Sequence, residues 1–105
     1  MKNIKNKQDQ FEVLRKIEAN PGFSQRQLAT NLGFSLGKLN YCLRELKQKG
    51  FVKIQNFNQK EDKLTYLKYM LTPKGIAFRT KLTINFMKRK MKEYDELKSE
   101  LEKIK

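Results

Sequence analysis

Between Asn20 and Gly50, signals that stop and start helices follow one another so closely that only short helices joined by tight turns fit. Asn20-Pro21-Gly22 stops a first helix. Its apolar residues Phe11, Leu14 and Ile17, with Val13 beside them, recur at helical spacing after an N-cap at Asp9. Ser24 is followed three residues later by Gln27, the capping-box pattern in which the two residues satisfy each other's free N–H groups. Leu28, Ala29 and Leu32 give this second helix one apolar face, and Gly33 ends it after barely two turns. Ser35 caps a third helix that runs to Gly50, a C-cap glycine. Three short helices therefore occupy residues 9–49, behind a basic tail, residues 1–8, expected to be disordered.

The pattern then changes. Residues 51–58, FVKIQNFN, and 64–72, LTYLKYMLT, are rich in β-branched and aromatic types, and the polar NQKEDK between them suits a hairpin tip. Thr72-Pro73 opens the last element, with threonine as N-cap and proline at the first helical position, where its missing N–H costs nothing. From there to Lys105 no helix breaker follows Gly75, so one continuous helix about 50 Å long is expected. The predicted fold is mainly α with a β-hairpin: a winged helix-turn-helix domain over residues 9–72, then a long C-terminal helix over 73–105.

Composition excludes several functions. With no histidine and one cysteine, Cys42, the chain has neither a zinc ligand set nor the base for Ser-His-Asp or Cys-His catalysis. No catalytic residue, metal or cofactor is expected. No run is apolar enough to span a membrane, and MKNIKNKQDQ lacks a signal-peptide core, so a cytoplasmic protein is expected. The formal net charge of +13 on 105 residues points instead to a polyanion, most often nucleic acid.

On the third helix, a 100° wheel over residues 36–48 puts Leu36, Leu39, Leu43 and Leu46 toward the core. Gly37, Tyr41, Arg44 and Gln48 fall opposite, with Lys38 and Asn40 at the margins. A helix entering the major groove needs donors, acceptors and a close-approach point on its outer face. Arginine pairs with guanine, asparagine with adenine, and glycine lets the axis approach the bases. Ser24, Gln25 and Arg26 lie at a helix N-terminus, which favours phosphate, and Ser35 stands at the next one. Lys60 and Lys63 at the hairpin tip are placed to reach the flanking backbone or minor groove.

The segments SQRQLATNLGFS, LGKLNYCLRELKQKGFV and LTPKG resemble MarR-type transcriptional regulators. The whole chain is similar to their small EPS-associated subgroup, down to NYCL in the third helix and FMKRKMKEYDELKSELE near the end. The resemblance implies a bacterial regulator that binds double-stranded DNA and acts on exopolysaccharide genes. It makes Gly37, Lys38, Asn40, Tyr41 and Arg44 the groove residues. Typical members carry dimerisation helices at both ends, enclosing a small-molecule pocket. With one C-terminal helix and almost no N-terminal extension, such a pocket is not expected here. The family's acid-x-Arg wing pair is also replaced by Asp62-Lys63, one residue early and without arginine.

Along the last helix, Leu82, Phe86, Met87, Met91, Tyr94, Leu97, Leu101 and Ile104 form a stripe with steps mostly of three and four. Such a stripe, extending past the core, asks for a partner helix, and a homodimer is the expected one; the rival is folding back onto helix one. Residues 79–92 carry six basic and no acidic side chains, and residues 93–105 three basic and five acidic, which suits a protein partner at the tip. A basic membrane-surface helix over Met87–Lys92 is disfavoured by the acids Glu93, Asp95 and Glu96 that follow. Phe51, Phe57, Tyr66 and Tyr69 are expected to pack rather than stack on single strands, and Cys42 to be a small buried hydrophobe. The rival of another class is a protein-interaction winged helix within a larger nucleoprotein complex.

Overall fold

Helix α1 (Lys2–Ala19) lies across α2 (Gln25–Leu32) and α3 (Leu36–Gln48); strands β1 (Val52–Gln55) and β2 (Lys68–Leu71) follow, and α4 (Pro73–Ile104) closes the chain. The computed structural model describes residues 2–55 and 68–104. Helix α1 begins at Lys2 rather than Asp9, so the expected disordered tail is instead its opening turns. No proline or glycine lies between Lys2 and Ala19 to stop it.

The turns follow from local chemistry. Ser24 Oγ accepts from the Gln27 backbone N–H at 3.2 Å, while Gln27 Oε1 accepts from the Ser24 N–H at 2.8 Å, completing the capping box. Gly33 takes φ +72° and Gly50 φ +81°, left-handed conformations that cost other residues about 1–2 kcal/mol. Beyond Gly50, the Phe51 N–H returns to the Leu46 carbonyl at 2.9 Å and closes α3. Ser35 Oγ accepts from the Lys38 N–H at 3.0 Å and starts it.

Val13, Leu14 and Ile17 of α1, Leu28 and Ala29 of α2, Leu39, Cys42, Leu43 and Leu46 of α3, and Val52 and Leu71 of the strands make one core. Leu36 is not among them and is 43% exposed. Its angle on the wheel faces inward, but at the first position of α3 it stands beyond the end of that core. The antiparallel strands pair Val52 with Leu71 and Ile54 with Tyr69. The rest of the expected runs and the hairpin tip, with Lys60, Lys63, Phe57 and Tyr66, lie outside the described residues.

Helix α4 is fastened at its first turn. Thr72 Oγ1 donates to the Gly50 carbonyl at 2.6 Å and accepts from the Gly75 N–H at 3.0 Å. The Phe51 ring stacks on Phe78, centroids 4.2 Å apart. Farther along, Arg79 pairs with Glu18 at 3.3 Å, Leu82 is buried, and Phe86 meets Phe11 with centroids 4.9 Å apart. Leu82 and Phe86 are thus spent on this chain's own α1, which removes them from the stripe expected to meet a partner. Past Phe86 the helix leaves the core, and residues 87–104 are exposed throughout.

Candidate nucleic-acid interface

The outer face of α3 stands clear of the core on which the helix rests. Gly37, Asn40, Tyr41, Arg44 and Gln48 are all exposed. Leu39, Cys42, Leu43 and Leu46 hold the opposite face inside, so the orientation of the reading face follows from the apolar period. A Cβ on Gly37 would meet no atom within 4 Å. The fold therefore does not need glycine there, although the bare backbone it presents suits close approach to a ligand.

Several side chains on this face are already tied. Gln25, at the first turn of α2, donates its Nε2 to Asn40 Oδ1 and joins the two helices of the turn. Gln25 therefore orients Asn40, a role not visible from its place at a helix start. With one lone pair of Oδ1 engaged, Asn40 keeps its amide N–H donors and a second acceptor site. Lys38 turns away, half-buried, with Nζ 3.5 Å from Asp9 Oδ2 and 4.1 Å from the Phe34 ring centre. In the free chain an acid and an aromatic face hold the Lys38 ammonium beside α1.

Tyr41 is 54% exposed, and a hydrogen bond to Glu45, with that carboxylate's charge, holds its phenol above the usual value. Glu45 also accepts from the buried Gln10 side chain at 3.2 Å. The Gln10–Glu45 link between α1 and α3 had no signal in the sequence, where Gln10 reads as one more polar residue before the apolar run. Arg44 makes no ion pair among the described residues. It lines a cleft of about 190 Å³ between α3 and the hairpin with Asn40, Leu43, Lys47, Ile54 and Tyr69.

Ser24 and Ser35 are occupied as N-caps, while Arg26, next to Gln25 in α2, is exposed. Across residues 19–60 the chain holds one acid, Glu45, against seven lysines and arginines. A segment with so few acids favours polyanions at long range. Tyr69 packs against the core and Cys42 lies within it, 5% exposed; burial, with the charges of Asp9 and Glu45, raises the thiol pKa. Among the described residues no group of three or more Cys, Asp or Glu is placed to hold a metal, and no helix is long and apolar enough to cross a membrane.

Comparison with known proteins agrees with this geometry. The family model for winged helix-turn-helix DNA-binding domains matches residues 10–53. No curated protein matches by sequence. Among solved structures, MarR of Staphylococcus aureus in complex with salicylate and kanamycin aligns at TM-score 0.70 and 18% identity, over 84% of this chain and 57% of that one. The transcriptional repressor CouR bound to a 23-mer DNA duplex aligns at 0.70 and 28%, over 83% and 59%. The S. aureus MepR–DNA complex aligns at 0.65 and 22%, over 91% and 73%. The chain thus spans less than two thirds of the length of MarR and of CouR. Residues 10–53 are similar to winged helix-turn-helix DNA-binding domains, and the chain has the fold seen in MarR and CouR.

Proposed function

We propose that this protein is a sequence-specific regulator of transcription that binds double-stranded DNA as a homodimer. The observation that carries the reading is the exposed face of α3, where Gly37, Asn40, Tyr41, Arg44 and Gln48 stand beside a hairpin, in a segment, residues 19–60, with one acid against seven basic side chains. Arg44 is exposed, makes no ion pair among the described residues, and is the first choice for a guanine contact. Asn40, oriented by Gln25, and Tyr41 read neighbouring positions, and Gly37 permits the approach. Arg26 and the N-termini capped by Ser24 and Ser35 hold phosphates, and Lys60 and Lys63 extend the contact from the wing. Lys38 joins them on release from Asp9. No step in this function is catalytic.

Dimerisation through α4 is supported by the exposure of Met87, Met91, Tyr94, Leu97, Leu101 and Ile104, apolar side chains that no described part of the chain covers. A two-fold dimer suits a two-fold operator. The likeness to the EPS-associated subgroup directs the search for targets to exopolysaccharide genes.

The test is duplex binding as a function of salt. Each phosphate contacted contributes a slope of about −0.9 in log K against log [salt], so several contacts give a steep line. A flat profile would remove DNA from the reading.

A further inference from the structure

We infer that α4 carries a second, sequence-independent contact to duplex DNA. Lys74, Lys81, Lys88 and Lys92 form a row that binds the phosphate backbone flanking the bases α3 reads. This rests on the proposed DNA binding and adds a surface outside the winged domain. No acid stands between Asp62 and Glu93, while nine lysines and arginines do. The reading helix uses none of that charge.

Beyond its first turns α4 has three faces. Leu82 is buried and Phe86 stacks on Phe11, so one face is spent on α1. Met87, Met91 and Tyr94, the exposed apolar stripe, centre about 120° round the helix from it. The four lysines fall within an arc of about 40° on the third side, about 120° from both. All four are exposed, and none makes an ion pair among the described residues. The ion pairs that α4 does make, Arg79 with Glu18 and Lys90 with Glu93, lie off the row. Lys74 begins it 5.5 Å from the centre of the Phe51 ring. The Thr72 hydrogen bonds and the Phe51–Phe78 stack fasten that end of α4, so the row leaves the winged domain in a set direction.

Length and spacing identify the partner. From Lys74 to Lys92 the row runs about 27 Å at 1.5 Å per residue. A single phosphate or nucleotide would engage one or two of these ammonium groups and leave the others unmatched. Duplex DNA offers one negative charge per roughly 1.7 Å of axis over any such length. Lysine, a point charge, holds phosphate without reading a base. With α3 on its site, flanking DNA stands at high local concentration, and weak contacts then add to affinity. An anionic bilayer fits less well, because Asp95 and Glu102 continue near the same side of the helix. The row is also clear of the apolar stripe, so DNA and a partner helix occupy different faces.

The experiment measures affinity for a long duplex of mixed sequence against salt, for three full-length proteins. They are wild type, the row variant Lys81→Gln, Lys88→Gln, Lys92→Gln, and a charge-matched control, Lys90→Gln, Lys103→Gln, Lys105→Gln. The row positions are exposed and glutamine equals lysine as a helix former, so the fold is kept. Each lost phosphate contact should make the slope of log K against log [salt] shallower by about 0.9. Three contacts per chain mean that, from about 50 to 200 mM salt, wild type loses about 40-fold more affinity than the row variant. The control should keep the wild-type slope, and the row variant should select the same sequence from random DNA. Equal slopes in the two variants, or a changed sequence, would overturn the row and leave reading by α3 standing. A flat line for wild type would overturn both. Phosphatidylserine vesicles that bind wild type and not the row variant, with DNA slopes unmoved, would assign the face to a membrane and overturn it too.

Discussion

Gly75 passes so close to Phe51 that a Cβ built on it would stand 1.9 Å from the Phe51 carbonyl oxygen and 2.8 Å from its carbonyl carbon. The same carbonyl accepts the Thr72 N–H at 3.0 Å, so strand β1, the Thr72 cap and the first turn of α4 share one tight joint. Gly75→Ala puts a methyl where only backbone lies, and backbone cannot swing aside as a long side chain does. We expect a loss of stability of at least about 1–3 kcal/mol, the usual cost of overpacking, although alanine is the better helix former. Urea unfolding of the two proteins checks it.

The joint also bears on function, because it sets the direction in which α4 leaves the reading head. Ending the chain after Phe86 keeps Leu82 in its buried place and Phe86 on Phe11 while removing the exposed stripe. The shortened protein should fold and sediment as a monomer. Ending it after Arg79 would also remove Leu82 and Phe86. A dimer that survives loss of residues 87–105 would place the interface elsewhere.

On the proposed function, Arg44 is the side chain on which base reading would most depend. Arg44→Ala should cost about 1–3 kcal/mol of affinity for a preferred duplex and far less for random DNA, because a lost base contact removes discrimination. Competition binding separates the two. An equal loss on both duplexes would make Arg44 a phosphate contact.

Cys42 has the opposite character, a thiol kept neutral by burial with Asp9 and Glu45 adding to the effect. A group whose proton is held more tightly in the folded state stabilises fully below the unfolded thiol value, about 8.5, and that contribution is lost as pH rises through the folded value. Stability should therefore fall above about pH 8.5, and Cys42→Ala should remove the first part of that fall. Tyr69, raised by burial, adds a fall of the same sign at higher pH. Thiol reagents should modify the native protein no faster than it opens.

Much of this was legible in the residues. Asn20-Pro21-Gly22, Ser24 with Gln27, Gly33, Ser35, Gly50 and Thr72-Pro73 each act through local chemistry, which sequence carries in full. The inward face of α3 was legible too, except at Leu36, where the angle is right but the core below has ended. What escaped depends on groups distant in the chain. Gln25 meets Asn40, Gln10 meets Glu45, and Lys38 folds onto Asp9 and Phe34 only because the helices cross as they do. Gly75 read simply as the last weak helix former before a long run; nothing local announces that Phe51 lies over it.

Selection of bound sites from random duplex DNA tests most directly whether α3 reads bases. The expected result is a defined two-fold motif whose most constrained positions relax when Arg44 or Asn40 is replaced by alanine. Recovery of unenriched DNA, or a motif unchanged by both substitutions, would contradict it.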